Sequence, residues 1–336
     1  MKDEVLNIIK NGKNILLPKE IAGRYEIVDI LSANTGFGLI LIANDKKILG
    51  RKVLIKATNY KGKIKRTNLE NASIIEKRRK EIEYEKNILA ALNSIGLFNI
   101  PIIRDYVLGY NPTILWPEGN IIPGKQFLPE YAFNEPYIVL QYIEGTTLSN
   151  YVRENVKDKR SIEWQIEVLK LAKQLLKIFS MMHHTAKKKY NVSFIYQDLK
   201  PDNILISPNK SFTLIDFGGV AIKFEENGKI INRGVGTPGY MPPEVKDKTL
   251  PFDGRADLYS LGIMMFELLS DKPLENFINA KGLIDKLDFN SLDVEGSIVR
   301  IIQKATQSVA EKRYSNAKNM LKDVITALRI LNTKRR

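Results

Sequence analysis

The most informative part of the sequence is Tyr196-Gln197-Asp198-Leu199-Lys200-Pro201-Asp202-Asn203, which is followed by Asp216-Phe217-Gly218. Between them, two short predicted strands, 203–206 and 212–215, form a hairpin. This spacing of an Asp, an Asn and a second Asp brings an acceptor for a hydroxyl proton and two oxygen ligands for Mg²⁺ to one loop edge. The alternative is that these polar residues only cap and turn the hairpin.

These two stretches resemble the catalytic loop and the magnesium loop of the eukaryotic-like (Hanks-type) serine/threonine protein kinases. The resemblance implies that Asp198 orients the substrate hydroxyl and takes its proton, and that Lys200 neutralises the transferring phosphoryl group. It also implies that Asn203 and Asp216 bind Mg²⁺, for which Mn²⁺ can substitute. ATP is then the phosphate donor.

The family also requires a strand lysine that holds the α- and β-phosphates of ATP, and Lys56 in Val53-Leu54-Ile55-Lys56 occupies that position. A glutamate on the following helix pairs with this lysine in the family. Glu85 has the family spacing, and Glu81, one helical turn away, is the alternative.

Further nucleotide contacts are implied by the resemblance alone. Leu140 occupies the gatekeeper position, and the backbone of Gln141–Ile143 is expected to hydrogen-bond adenine. The complete set of expected nucleotide-binding residues is Leu31, Gly36, Phe37, Gly38, Leu54, Lys56, Leu140, Gln141, Ile143, Asn203 and Asp216.

The match continues downstream. The segment from Gly236 to Glu244 resembles the end of a kinase activation segment, and Asp257 is expected to anchor the catalytic-loop backbone. Arg313 falls where the family places the partner of Glu244. Lys200 and the Gly236-Thr237 pair resemble those of serine/threonine kinases, which implies a Ser or Thr acceptor. Because small-molecule kinases of related fold generally lack the segment, it favours a protein substrate, and autophosphorylation is expected. A small-molecule kinase is the less favoured third reading.

Two departures concern the nucleotide. The glycine-rich loop, residues 31–38, keeps only Gly36 and Gly38, which predicts a looser grip on phosphate. Leu54 stands where the family has Ala against the adenine ring, and it is the main support for a pseudokinase that acts as a nucleotide-binding scaffold. The five polar residues Lys56, Glu85, Asp198, Asn203 and Asp216 are retained, so we favour activity.

A third departure concerns activation. Gln197 replaces the Arg that binds a phosphate on the activation loop in many family members, and residues 217–236 contain no Ser, Thr or Tyr. We therefore expect a non-RD enzyme that does not need loop phosphorylation. Insertions at 60–71 and 109–136 are candidate regulatory elements or, equally, solvated loops.

Three aromatic residues near these motifs invite interpretation. Tyr196 replaces the usual His and is expected to pack against Phe217. His183 and His184 are adjacent on a predicted helix and point to different faces, so a structural role is favoured over a zinc site.

The order of elements predicts an α+β, two-lobed kinase fold. Predicted strands at 25–31, 39–43, 52–57, 102–108 and 137–142, with a helix at 73–92, form the small lobe. Helices at 162–182, 256–269, 298–307 and 317–331 form the large lobe. We expect an N-terminal extension at 1–22, the small lobe at 23–143 and the large lobe at 144–332, with 109–136 as an inserted loop.

Composition adds limits. The 336 residues carry a net charge of +14 and no cysteine, which excludes disulfides and thiolate metal sites. Because Lys is abundant along the whole chain, the charge indicates a compositional habit more than a nucleic-acid partner. No apolar run is long enough to span a membrane, and no secretory signal opens the chain. A cytoplasmic location is expected, or the host cytosol for a viral or secreted member, while the oligomeric state stays open.

Overall fold

A computed structural model describes residues 5–10, 12–35, 38–64, 68–232, 234, 236–247 and 250–335, with the backbone alone at 33–35 and 68–69. The chain divides into two compact units. The first comprises Met1–Asn93 with Pro101–Ile143, and the second comprises Ser94–Ile100 with Glu144–Arg336. A sheet-rich first unit and a mainly helical second unit confirm the predicted α+β kinase fold.

The first unit is built on an antiparallel sheet. Its strands are β1 Val5–Lys10, β2 Lys13–Pro18, β3 Glu20–Ile21, β4 Tyr25–Thr35, β5 Gly38–Asp45, β6 Arg51–Ala57, β7 Ile103–Gly109 and β8 Glu135–Gln141. Its helices are α1 Asn68–Ser94, α2 Pro112–Leu115 and α3 Pro129–Ala132. The order in the main sheet is β3-β4-β5-β6-β8-β7, and β1 pairs with β2 as a separate hairpin.

Strand alternation in β6 decides which of its side chains are available for chemistry. Successive side chains point to opposite faces of a sheet. Val53 and Ile55 therefore enter the main core of the first unit, while Leu54 and Lys56 share the other face. The predicted strand is confirmed. Burial of Val53 and Ile55 in the core fixes the strand, and this holds the Lys56 side chain on the opposite face of the sheet.

The insertion 109–136 is largely irregular, as predicted for a loop, but much of it is buried and not solvated. Residues 110–116 are buried and include α2, and Leu128 and Ala132 are also buried. These side chains form a second core of the first unit. Its other members include Leu16 of β2, Ile75 of α1 and Tyr60, which follows β6. The reading as a solvated loop was wrong, because the aromatic side chains of this irregular run bury area in tertiary contacts that its local sequence does not reveal.

The second unit is mainly helical. Its helices are α4 Leu148–Asn155, α5 Ile162–Ser180, α6 Ala186–Tyr190, α7 Pro243–Lys246, α8 Arg255–Leu269, α9 Gly296–Ala305 and α10 Ala317–Arg335, with a π-turn at Met181–Thr185. Its strands are β9 Thr146–Thr147, β10 Val192–Ile195, β11 Ile204–Ile206, β12 Phe212–Leu214, β13 Ala221–Phe224 and β14 Ile230–Ile231. Strands β9, β11 and β12 form one small sheet, and β10, β13 and β14 form another.

Helix α8 is buried within the second unit. Nearly all its side chains are buried, as expected of a helix that is apolar on all sides, and the predicted helix at 256–269 is confirmed. Helix α9 packs so closely against it that a Cβ on Gly262 would lie 2.7 Å from the Ala305 Cβ. In the part of the chain that the structure describes, we find no helix with the length and hydrophobicity of a membrane span.

Candidate active site

In the first unit, β6 and α1 bring together the two residues predicted to pair. The Lys56 Nζ donates to Glu85 Oε1 at 2.5 Å, and both side chains are buried. Glu85 and not Glu81 makes this contact, since Glu81 pairs with Arg78 on the same helix. The helix can place a carboxylate here because the neighbouring positions Ile82, Ile88 and Leu89 pack into the unit.

The other expected nucleotide residues of the first unit are less uniform. Leu54 lies opposite Leu140 in the register of β6 and β8, and Leu140 is buried. The Gln141 N–H donates to the Ile102 carbonyl at 2.9 Å, so this donor is already used and an adenine contact by this residue would need another group. Leu31 is exposed. Gly36 and Phe37 lie outside the described residues.

Gly38 has a structural requirement of its own. Its φ is +135°, and a Cβ at this position would lie 2.3 Å from the Ala57 carbonyl oxygen. Only glycine permits this approach between β5 and β6. Gly38 is therefore explained by sheet geometry before any contact with phosphate is invoked.

In the second unit, the residues after β10 converge on one carboxylate. Asp198 Oδ2 accepts a hydrogen bond from Asn203 Nδ2 at 2.9 Å and lies 3.2 Å from Lys200 Nζ. Asp198 Oδ1 accepts from the Thr237 hydroxyl at 2.6 Å, and Lys200 Nζ donates to the same hydroxyl oxygen at 2.7 Å. The Thr237 hydroxyl therefore lies between the Asp198 carboxylate and the Lys200 ammonium.

The backbone of the catalytic loop is held by Asp257 at the start of α8. The fully buried Asp257 carboxylate accepts from the N–H groups of Tyr196 and Gln197, each at 2.9 Å. His183 Nε2 lies 2.8 Å from the same carboxylate, and the His183 ring stacks on Phe179. These contacts confirm the anchoring role of Asp257 and the structural role of His183. At His184, burial and the neighbouring cations lower the pKa of the imidazole.

Asp216 and Phe217 follow β12. Asp216 adopts a left-handed backbone conformation, with φ +65°, and its Oδ1 accepts from the Gly218 N–H at 3.4 Å. Phe217 is buried and packs edge-on against Tyr196, with ring centroids 5.3 Å apart, which confirms the predicted contact. The Tyr196 hydroxyl also donates to the Ile215 carbonyl, a bond that the sequence did not suggest.

The donor set fits a hard divalent cation. The two hydrogens of the Asn203 amide are directed to the Asp198 carbonyl and carboxylate, so its carbonyl oxygen is the atom that could bind a metal. Asp216 supplies a carboxylate. Across the described part of the chain, no three His, Cys, Asp or Glu side chains are grouped so as to hold a metal. Mg²⁺ is typically bound by only a few protein ligands, and water and substrate phosphate complete its coordination.

The activation-segment end is fixed by a buried ion pair. Arg313 Nη2 donates to Glu244 Oε2 at 2.8 Å, and Arg313 Nη1 contacts the other carboxylate oxygen. The Arg313 guanidinium also donates to the carbonyls of Gln307 and Ser308 and lies over the Tyr259 ring. The predicted pair of Glu244 and Arg313 is confirmed.

Gln197 is the unusual residue of the loop. Its side chain is buried, and neither its Oε1 nor its Nε2 has a hydrogen-bond partner among the described residues. Its backbone has a positive φ of 69°. A buried amide without partners costs folding free energy. Gln197 therefore places an uncharged amide at this position, and no described hydrogen bond offsets the cost of burying it.

We predict that Gln197→Met raises the midpoint of thermal unfolding by about 3 °C, because it removes an unsatisfied amide worth about 1 kcal/mol at nearly constant volume. Gln165 provides a matched control. It is also buried, but its amide donates to the Arg160 carbonyl and accepts from the Glu295 N–H. Gln165→Met should lower the midpoint by a similar amount. A lower midpoint for both variants in a thermal melt would contradict the assignment of Gln197 as unsatisfied.

A polar network in the first unit was missed by the sequence reasoning. The buried Glu135 carboxylate accepts from the Tyr60 hydroxyl at 2.7 Å and from Arg79 Nε at 3.1 Å. Arg79 Nη2 also donates to the Tyr131 carbonyl at 2.8 Å. Burial raises the pKa of the Glu135 carboxyl, and the two donors oppose that shift. The only sequence signal is a charged residue directly before an apolar strand.

Comparison with known proteins agrees with this geometry. The model of the protein kinase domain family matches residues 117–336, about two thirds of the chain. Serine/threonine-protein kinase PknB of Mycolicibacterium smegmatis is 27% identical over 325 residues, covering 92% of this chain and 43% of the relative. Serine/threonine-protein kinase D of Synechocystis is 25% identical over 311 residues, covering 90% and 52%. Serine/threonine-protein kinase Nek2 of Mus musculus is 31% identical over 198 residues, covering 59% and 39%.

This chain thus spans about half the length, or less, of these relatives. The family match begins downstream of Lys56 and Glu85, so it covers Glu144–Arg336 of the second unit and only the end of the first. Two of the three alignments nevertheless extend over nine tenths of the chain or more. The chain belongs to the protein kinase domain family, in its Hanks-type serine/threonine branch.

Proposed function

We propose that the chain is an ATP-dependent protein serine/threonine kinase that transfers the γ-phosphate of ATP to a Ser or Thr hydroxyl. The observation that carries this proposal is the Thr237 hydroxyl, which bridges Asp198 and Lys200 at 2.6 and 2.7 Å. A hydroxyl of the acceptor's own chemistry already fits between the proposed base and the proposed cation. An acceptor hydroxyl would replace Thr237 there.

The transfer step uses these two side chains. The acceptor oxygen forms a bond to the γ-phosphorus while the bond from that phosphorus to the bridging oxygen of ADP breaks, and Asp198 accepts the hydroxyl proton. Lys200 offsets the negative charge on the transferring group. Because Asn203 donates to Asp198, the carboxylate is held in one orientation for the acceptor.

Asn203 and Asp216 would hold the divalent cation, which supplies charge neutralisation at the phosphates. The donor types support Mg²⁺, with Mn²⁺ as a substitute. In the first unit, Lys56, held by Glu85, would bind the α- and β-phosphates, while Leu54 and Leu140 would contact the adenine. Leu54 is the residue that supports the alternative of a catalytically weak nucleotide-binding scaffold.

We also propose that transfer does not depend on phosphorylation of the activation segment. Gln197 is neutral and buried, and residues 217–236 contain no hydroxyl acceptor. Autophosphorylation on Ser or Thr elsewhere in the chain is expected, since the acceptor requirement is only a hydroxyl that reaches Asp198. A protein pre-treated with a phosphatase should therefore retain full activity.

The acceptor class is tested by giving labelled ATP and Mg²⁺ to the chain with a generic basic protein and, separately, with a panel of small alcohols. Label on protein Ser or Thr supports the proposal. Label confined to a small molecule would establish a small-molecule kinase. Nucleotide binding without transfer would favour the scaffold, and Leu54→Ala should then be tested for recovery of transfer.

A carboxylate in place of the Thr237 hydroxyl should inhibit transfer. We expect Thr237→Glu to lower the rate about 100-fold, because a second negative charge would face Asp198 and occupy the acceptor position. Thr326, exposed on α10, provides a control, and Thr326→Glu should stay within about twofold of wild type. Equal rates for both variants, measured with labelled ATP, would contradict the placement of the acceptor hydroxyl beside Thr237.

A further inference from the structure

The insertion between β7 and β8 contacts both elements that carry the Lys56–Glu85 pair. Lys56 lies on β6, and the segment directly after β6 is bonded to the insertion at several points. The Asn111 amide donates to the Thr58 carbonyl at 2.8 Å, the Tyr60 N–H donates to the Thr113 hydroxyl at 3.2 Å, and the Gly62 N–H donates to the Pro117 carbonyl at 2.8 Å. The backbone of the segment after β6 is thus tied to the insertion by these hydrogen bonds.

Helix α1, which carries Glu85, is tied to the same insertion by Arg79. The Arg79 guanidinium donates to the Glu135 carboxylate and to the Tyr131 carbonyl and lies over the Tyr131 ring, with its Cζ 5.3 Å from the ring centroid. One turn earlier, Ile75 is fully buried in the second core with Tyr110 and Trp116. Arg79 is six residues before Glu85, about 9 Å along the helix axis.

The network is closed by Tyr60, whose hydroxyl donates to the other oxygen of Glu135 at 2.7 Å. Glu135 therefore receives one donor from the segment after β6 and one from α1. The Glu135 side chain is fully buried, and that of Arg79 is 20% exposed. Loss of one partner of such a pair leaves an uncompensated buried charge, so the pair resists separation.

We propose that Arg79, through Glu135 and Tyr131, is a positioning residue that holds α1 at the place where Glu85 reaches Lys56. This inference deepens the proposed function and rests on it for its catalytic consequence. Residues 110–135 then act as a permanent support for the helix. The support offers a physical reason why an enzyme without an activation-loop phosphate would keep its lysine–glutamate pair assembled.

The first test is the rate of phosphate transfer by Arg79→Met, which keeps the packing of the side chain and removes its donors. We expect the rate to fall about 10- to 100-fold through misplacement of Glu85, mostly in kcat. Lys80→Met is the matched control, since Lys80 is the exposed next residue of α1, and it should stay within about twofold of wild type. Arg79→Lys, which keeps one charged donor, should recover part of the rate. If Arg79→Met does not fold, Arg79→Lys takes its place in the comparison with Lys80→Met.

A role through Glu85 is separated from general destabilisation by a double variant. Glu85→Gln should itself lower the rate. If Arg79 acts by positioning Glu85, adding Arg79→Met to Glu85→Gln should change the rate by less than about twofold, whereas independent effects multiply. Multiplicative losses, or an Arg79→Met rate equal to that of Lys80→Met, would overturn the inference.

Amide hydrogen exchange keeps this test independent of activity. Arg79→Met should speed exchange in peptides from α1 and from residues 128–135, and Lys80→Met should not. If wild type transfers no phosphate, the proposed function fails, and exchange alone then decides whether Arg79 anchors the helix. Equal exchange in α1 for the two variants would refute the anchor even in an active enzyme.

Discussion

Asp198→Asn is expected to lower the rate of phosphate transfer about 10³-fold, because the amide cannot accept the proton of the acceptor hydroxyl. The substitution keeps the size of the side chain. It also keeps an oxygen that can accept from Asn203 or Thr237. The midpoint of thermal unfolding should therefore change by no more than about 2 °C. Steady-state transfer from labelled ATP measures the rate, and a thermal melt measures the fold.

The matched control is Asp202→Asn, which makes the same chemical change on an exposed residue of the same loop. Its rate should stay within about twofold of wild type. If Asp198→Asn and Asp202→Asn transferred phosphate equally fast, Asp198 would not be the base, and the account of the catalytic loop would have to be replaced.

Arg313→Met should give the largest loss of stability. Arg313 is buried, and its removal leaves the Glu244 carboxylate and the carbonyls of Gln307 and Ser308 without their donor. Breaking a buried pair of this kind costs about 3–5 kcal/mol. In a unit of this size the midpoint of thermal unfolding should fall by about 10 °C.

Two further variants test the reason for that loss. Arg335→Met removes an exposed partner of Glu163, at 3.9 Å, and should shift the midpoint by less than about 2 °C. Adding Glu244→Gln to Arg313→Met removes the unpaired charge and should recover part of the lost stability. If the double variant were less stable than Arg313→Met, the unpaired carboxylate would not be the main cause.

The second unit could be predicted well from sequence because its candidate active-site residues are close together along the chain. Asp198, Lys200 and Asn203 lie within one short loop, and a hairpin brings Asp216 after it. Their order alone restricts where the side chains can be. The long apolar run of α8 similarly predicts a buried helix, because it has no polar face to turn toward solvent. Local order and burial therefore suffice for this part of the fold.

The first unit was harder because its distinguishing contacts join distant segments. The Arg79–Glu135 pair joins α1 to the start of β8, and a charged residue on a helix reads from sequence as part of a solvated face. The aromatic residues of 110–132 read as a loop because their burial depends on β2 and α1. Neither contact has a local period or spacing that would reveal it.

For Gln197, one property could be predicted from the sequence and another could not. The sequence indicated that this position lacks the charge needed to bind a phosphate, and the structure adds that its amide has no partner among the described residues. The absence of a hydrogen bond could not be predicted, since it depends on every neighbour of a buried side chain. The absence of an Arg at this position and of hydroxyl residues at 217–236 could be read directly from the sequence, because each depends only on which residues are present.

The central claim is tested most directly by the initial rate of label transfer from γ-labelled ATP, with Mg²⁺, to a generic basic protein and to the chain itself, followed by identification of the labelled amino acid. We expect label on Ser or Thr with wild type and a loss of about 10³-fold with Asp198→Asn. Bound nucleotide with no transferred label, in wild type and in Leu54→Ala alike, would contradict it.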